Sequence, residues 1–323
     1  MASLLGSTLR CCRRSRLLLA LLLVATVCAH NPLLRASVAS GPQESSVPAY
    51  HSSVSEVRLV FFATDEHNQS VTDLREDDFA VVDDERVIRD FRSFTRSALT
   101  KLDVIVLIDS SESVLPHFQQ EIADVVQLIS QWPWNPGDYV SVLSFSGMEV
   151  HLICAGNCRS VFTADLVKSL PRGGATPLFD ALEIATNTLI ERRQAEVWPV
   201  IILFSDGDDT ISKTPLREAL EKVLASGAQV YAIDVGSPER ASDGTARLQR
   251  IAAESGGRWV RMSEGAVRIF KDVIDDLHSA RVVTYVLPES GPDFHSIRIL
   301  PTHNLNLQFR CRTGYYHREG SAY

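Results

Sequence analysis

Asp109, Ser111 and Ser113 alternate along the stretch Asp109-Ser110-Ser111-Glu112-Ser113. One carboxylate and two hydroxyls at this spacing place hard oxygen donors around one small volume. Such donors suit Mg²⁺, Mn²⁺ or Ca²⁺. Two other places carry matching chemistry. Thr176 sits in Gly173-Gly174-Ala175-Thr176-Pro177, just before a helical pattern, and Asp206 ends the apolar run Ile201-Ile202-Leu203-Phe204-Ser205. Glu112, Asp208 and Asp209 flank these groups and read as solvated rim residues.

The elements that must position these groups alternate between strands and helices. Leu102 to Ile108 is an apolar run broken only by Asp103, which suits a strand buried on both faces of a parallel sheet. Phe118 to Trp132 has apolar residues at helical spacing. Tyr139 to Phe145 is strand-like and Met148 to Ile153 its hairpin partner, which gives one antiparallel edge. Leu178 to Ile190 is helical, and Val197 to Phe204 is a second central strand. Further helices follow at Leu216 to Leu224, Ala246 to Ser255 and Gly265 to Ala280, with strands at Val230 to Val235 and Trp259 to Met262. Repeated βα units imply an α/β fold with a doubly wound, mostly parallel, Rossmann-like sheet. Asp109, Thr176 and Asp206 all fall where strands or loops meet helices at one edge of that sheet, where open α/β sheets bind ligands.

The flanks are different. Val54 to Ala63, Phe79 to Val82 and Val87 to Phe94 read as three strands. Val282 to Leu287, Phe294 to Leu300 and Leu305 to Cys311 read as three more. Each β-rich flank is too small to be stable alone, so the two are expected to complete one β-sandwich. The expected organisation is a signal peptide at 1–29, a linker rich in Ser, Pro and Ala at 30–53, an N-terminal β segment at 54–99, the α/β domain at 100–280 and a C-terminal β segment at 281–323.

The leader reading rests on Arg10, Arg13, Arg14 and Arg16 ahead of the apolar run Leu17 to Val27. A basic region before about a dozen apolar residues is a secretory pattern, and the run is short for a spanning helix, which needs about 20 residues. Secretion or periplasmic export is expected, with a membrane anchor if the segment is retained. Cleavage after Ala29 would remove those four arginines and no acid, which takes the formal net charge from −8 to −12. An acidic chain argues against nucleic acid as a partner. Of the six cysteines, Cys11, Cys12 and Cys28 belong to the leader. Cys154 and Cys158 are close enough to close a small loop in an oxidising compartment, or to remain free thiols. Cys311 reads as a buried thiol.

The set Asp109-x-Ser111-x-Ser113, then Thr176, then Asp206 resembles the metal-ion-dependent adhesion site of the von Willebrand factor type A (vWA) domain. The resemblance covers about residues 101 to 280, and all five positions are filled in order. It implies that Ser111 and Ser113 bind an ion directly. It also implies that Asp109 and Asp206 act directly or through water, and that Thr176 joins in the ligand-engaged state. In that family an Asp or Glu of a protein partner fills an open position on the ion. The flanks look like those of a family of secreted, vWA-related bacterial proteins best known from Acidobacteria. The matching residues are Val71, Leu74, Asp78 and Phe79 before the domain, and Arg312, Gly314, Tyr315 and Tyr316 after it.

The expected function is therefore a non-enzymatic, divalent-cation-dependent protein-binding module for adhesion or assembly outside the cytoplasm. One alternative is a scaffold subunit that binds through its β-sandwich and keeps a structural metal. Another is a Mg²⁺-dependent hydrolase, but phosphatases of the haloacid-dehalogenase type need Asp where Ser111 stands. No Gly-x-Ser-x-Gly, Walker loop or His-Glu-x-x-His occurs in the chain. His117, His151, His278, His295 and His303 are scattered and read as surface or packing residues. Trp132 and Trp134 flank Pro133 and read as packing at a helix end.

Overall fold

The computed structural model describes residues 56–97, 100–116, 118–131, 134–156, 158, 170–194, 196–237, 243–262, 266–286 and 293–316. The expected signal peptide and linker lie outside the described residues, as do Trp132 and Pro133. The chain divides into two compact units, Met1–His51 and Ser52–Tyr323, and every described residue belongs to the second. No helix among the described residues is long and apolar enough to cross a membrane.

Four strands come first: β1 (Glu56–Thr64), β2 (Phe79–Asp83), β3 (Arg86–Ile88) and β4 (Ser93–Arg96). The α/β part follows with β5 (Lys101–Asp109), α1 (Phe118–Gln131), β6 (Tyr139–Ser146), β7 (Glu149–Gly156), α2 (Leu178–Glu191) and β8 (Val197–Ser205). It continues with α3 (Leu216–Ser226), β9 (Gln229–Asp234), α4 (Asp243–Ser255), β10 (Trp259–Arg261) and α5 (Ala266–Ser279). The chain closes with β11 (Arg281–Val286), β12 (Phe294–Pro301), β13 (Gln308–Cys311) and β14 (Gly314–Tyr316).

The central sheet has the order β10-β9-β8-β5-β6-β7 and is parallel except for the β6–β7 hairpin at one edge. The expected α/β fold is the one observed. β5 is buried from Leu102 to Asp109 because helices cover both faces. Val104, Val106 and Ile108 meet α1 and α5 through Val125, Ile129, Ile269 and Val273. Ile105 and Leu107 meet α2, α3 and α4 through Leu182, Val223 and Leu248. Phe118, Ile122, Val125 and Ile129 fall on one stripe of α1, which is why that helix buries one face. Cys154 and Cys158 form a disulfide beside the edge strand β7.

The two flanks interleave. One four-stranded sheet has the order β13-β1-β11-β4 and the other β14-β12-β2-β3, so each contains strands from both ends of the chain. Their facing sides share one core that includes Leu59, Phe61, Phe79, Val81, Val283, Tyr285, Ile297 and Tyr315. β1 alternates as its pattern predicts: Val57, Leu59 and Phe61 enter the sandwich core. Phe62 points the other way, 6.4 Å from the Trp198 ring of β8. Arg310 lies over the Phe62 ring at 3.9 Å and pairs with Asp276 of α5 at 2.6 Å. The sandwich is thereby packed on the α/β part.

The strand expected over Val87 to Phe94 is two strands in different sheets. β3 pairs with β2 in one sheet and β4 with β11 in the other. The chain crosses between them and drops Phe91 against Phe79, with ring centroids 5.2 Å apart. Several flanking residues singled out in the sequence are structural. Leu74 and Phe79 are core residues, Asp78 accepts a bond from the Arg75 N–H at 2.8 Å, and Arg312 and Tyr315 are buried.

Candidate metal centre at the sheet's carboxyl edge

β5 leads through α1 to β6 on one side, while β8, β9 and β10 build outward on the other. The strand order therefore reverses between β5 and β8, and the crevice beyond their carboxyl ends is the switch point of the fold. Ile108 pairs in register with Phe204, which brings Asp109 beside Ser205 and Asp206. The Ser205 hydroxyl donates to Asp109 Oδ2 at 2.6 Å, and the Ser111 N–H donates to Asp109 Oδ1 at 3.0 Å. Ser111 Oγ and Ser113 Oγ are 3.3 Å apart. Asp206 Oδ1 accepts the Asp208 N–H at 3.0 Å, and the Ser113 side chain is near enough to hold the Asp206 carboxyl down against burial. Four of the five sequence-predicted residues thus form one connected group.

Thr176 reaches the same edge through its backbone. The Gly173 N–H donates to Ser110 O at 2.7 Å, and the Glu112 N–H to Gly174 O at 3.1 Å. The Gly147 N–H donates to Ala175 O at 2.7 Å. Thr176 itself is buried, its N–H bonded to Thr210 Oγ1 at 2.8 Å. Gly174 has φ +82°, and a Cβ there would lie 3.3 Å from the Gly147 Cα. The glycine is what lets this loop lie against the turn after β6.

The electrostatics suit a cation. Asp109 and Ser111 are fully buried. Burial pushes the Asp109 carboxyl up to about 7 against the hydrogen bonds from Ser111 and Ser205, and the neighbouring Asp206 adds to the rise. Burial also raises Asp206, opposed by the Ser113 side chain and the Asp208 N–H, with Asp208 and Asp234 as nearby like charges. Two adjacent carboxyls and two hydroxyls form a hard-oxygen donor set that fits Mg²⁺, Mn²⁺ or Ca²⁺.

Of the flanking acids expected at a solvated rim, Glu112 is exposed and Asp208 half-exposed, while Asp209 is drawn into a helix cap. Asp208 pairs with Arg247 of α4 at 3.2 Å. Asp209 and Ser212 cap α2: the Phe179 N–H donates to Ser212 Oγ at 3.0 Å and lies 3.3 Å from Asp209 Oδ1. Sequence reasoning missed Ser205 and Asp234. Asp234 ends β9, is buried, and accepts from the Gly236 N–H at 2.9 Å and the Thr245 hydroxyl at 2.8 Å. The available signal was position, because each is the last residue of an apolar strand at the same edge.

A second group with ligand chemistry lies in the sandwich. Single ligand atoms of Asp83, Asp84 and His295 lie within 4.8 Å of one another, so the group could hold an ion. Its atoms are already engaged. Asp83 Oδ2 accepts the Tyr285 and Tyr315 hydroxyls, each at 2.8 Å. His295 Nδ1 lies 3.1 Å from Asp83 Oδ1 and 3.0 Å from Asp84 Oδ2, and its ring stacks on Tyr315 at 4.8 Å. His295 is thus a packing histidine, as expected, within a polar network that local sequence did not reveal. Trp134 also packs a helix end, donating to Ile129 O at 2.9 Å.

The family model described as von Willebrand factor type A domain matches residues 103–275. The 60 kDa magnesium-chelatase subunit of Cereibacter sphaeroides is 27% identical over 155 residues, covering 46% of this chain and 28% of the relative. The same subunit of Rhodobacter capsulatus is 27% identical over 149 residues, covering 43% and 27%. The chain thus spans little more than a quarter of the curated relatives it matches. Among solved structures, an aerotolerance-related membrane protein from Bacteroides fragilis matches with TM-score 0.45 and 18% identity, covering 55% of this chain and 98% of that one. BatB from Bacteroides thetaiotaomicron matches with TM-score 0.42 and 20% identity, covering 54% and 98%.

Proposed function

Starting from the fact that the chain belongs to the von Willebrand factor type A domain family, we propose that it is a non-enzymatic, divalent-cation-dependent protein-binding module acting outside the cytoplasm. In this reading Asp109, Ser111, Ser113, Thr176 and Asp206 hold Mg²⁺, or Mn²⁺ or Ca²⁺. An Asp or Glu of a protein partner completes the ion's coordination. The observation that carries the reading is the group at the switch point: Asp109 is buried and accepts from Ser205 and Ser111, Ser111 Oγ lies 3.3 Å from Ser113 Oγ, and Asp206 follows Ser205 directly in the chain. A bound ion would supply the positive charge that the crowded carboxyls call for and an electrophilic position for an anionic group.

Thermal unfolding of the full chain in EDTA, and then in millimolar Mg²⁺, Mn²⁺ or Ca²⁺, tests this beside Asp109→Ala. Free ion at 100 times its dissociation constant adds about 2.7 kcal/mol of stability. A cation-dependent rise in Tm that Asp109→Ala removes is expected. No rise with any of the three ions, or an equal rise in the variant, refutes the assigned site.

A further inference from the structure

At the opposite edge of the central sheet, a cavity lies between the sandwich and the α/β part. It is lined by four arginines, Arg58 of β1, Arg192 and Arg193 after α2, and Arg312 between β13 and β14, and by one carboxylate, Asp103 of β5. Its volume is about 70 Å³; one water needs about 10–15 Å³, so the space admits several waters or one small anion.

Three of the arginines have partners of their own. Arg192 pairs with Asp103 at 3.1 Å, and Arg193 donates to Ala225 O at 2.6 Å. Arg58 donates to Thr100 Oγ1 at 3.3 Å and feels the charge of Glu196. Arg312 is different. It is only 8% exposed, one Nη donates to Arg58 O at 3.2 Å, and its guanidinium lies 5.3 Å from the Tyr315 ring centre. Its buried Nε has no hydrogen-bond partner, and no carboxylate pairs with it among the described residues. Arg193 is a like charge nearby. A guanidinium taken out of water without a counter-charge is costly. The remedy is an anion, and the guanidinium fork matches oxyanions in particular.

We propose that this cavity binds a small oxyanion, a phosphate or a carboxylate, with Arg312 as the buried anchor and Arg58 and Arg193 flanking it. The apolar wall of Val60, Leu189 and Trp198 excludes water from one side and strengthens the charge contact. The site is separate from the cation centre. Asp103 and Asp109 sit at opposite ends of β5, six residues apart, or roughly 20 Å at strand rise.

The test uses the full chain in EDTA, at constant ionic strength set with chloride. Inorganic phosphate or malonate replaces chloride up to tens of millimolar, and Tm and Trp fluorescence are followed. A saturable rise in Tm of a few degrees is expected for at least one anion, and which anion acts separates phosphate from carboxylate recognition. Arg312→Met should lose the response while keeping the Tm of the native chain in chloride, or exceeding it. Arg193→Gln, nearer solvent, should weaken apparent affinity at least tenfold and carries the test if Arg312→Met does not fold. Asp109→Ala should respond as the native chain does, whatever its response to cations. Tm that follows ionic strength alone, or variants that respond like the native chain, would overturn the proposal.

Discussion

Replacing Asp83 by alanine takes away a carboxyl that accepts from Tyr285, Tyr315 and His295 in the middle of the sandwich. Tyr285 belongs to one sheet of the sandwich and the other three residues to the second, so the network ties the sheets together by more than apolar contact. Asp83, Tyr285, His295 and Tyr315 are all buried. Each donor left without an acceptor there costs about 1–3 kcal/mol. Allowing for relaxation, the alanine variant should lose about 3–5 kcal/mol, a large share of the 5–15 kcal/mol typical of a domain. At about 2–4 °C per kcal/mol for a domain of this size, Tm should fall by roughly 6–20 °C. Tyr285→Phe and Tyr315→Phe should each cost less, about 1–2 kcal/mol, because Asp83 keeps its other donors. A double-mutant cycle of Asp83→Ala with Tyr285→Phe should show coupling above 0.5 kcal/mol, measured by urea unfolding in EDTA. A loss below 1 kcal/mol for Asp83→Ala would refute the network. So would an Asp109→Ala protein, otherwise unchanged, that EDTA destabilises as much and Zn²⁺ restores. That result would make Asp83, Asp84 and His295 a metal site instead.

Other outcomes follow from local geometry. Removing the Cys154–Cys158 disulfide by a double Cys→Ser change should cost about 2 kcal/mol, the loop-closure value for so short a loop, and leave the cation response intact, because the bond lies beside the edge strand. Gly207→Ala should destabilise strongly and be visible in Tm: φ is +79° and an added Cβ would lie 2.2 Å from Gly244 O. Hydrogen bonds from Lys222 and then from Thr214 hold the Glu183 carboxyl below its ordinary value. Its folded-state pKa is depressed, so the stability it contributes is present above about pH 4.3 and lost as pH falls below that value. The Tm difference between native chain and Glu183→Gln should therefore shrink between pH 6 and pH 3. Burial pushes the Cys311 thiol up to about 12. Because the thiolate is the reactive form, iodoacetamide at pH 8 should leave Cys311 unmodified until the protein unfolds.

The α/β frame could be read in the sequence because its strands are buried on both faces, which writes itself as continuous apolar runs. Leu102 to Ile108 and Val197 to Phe204 are such runs, and each ends abruptly in polar residues at the same edge. The candidate cation centre was legible for the same reason: a carboxyl directly after a buried run must lie at the strand's carboxyl end. The sandwich was legible only in part. Its strands are half-buried and short, and Val87 to Phe94 has the composition of one strand while the chain uses it to change sheets.

The polar interior was not legible at all, and the reason is distance along the chain. Asp83 meets Tyr285, His295 and Tyr315 across separations of 202, 212 and 232 residues. Arg58 and Arg312 meet across 254. Read locally, Asp83-Asp84 is a turn signal, and Arg58 is a polar residue on the outward face of an alternating strand. Only when β1 is packed on the α/β part does that outward face become an interior. Arg58 and Arg312 then lose the water that a strand's solvent face would give them. The fold's second packing surface converts solvated charges into buried ones, and a buried charge has to find a counter-charge. Asp276 serves Arg310 and Arg258 at 2.6 Å each, and Asp103 serves Arg192. Arg312, in the same interface, has a cavity beside it where its carboxylate would be.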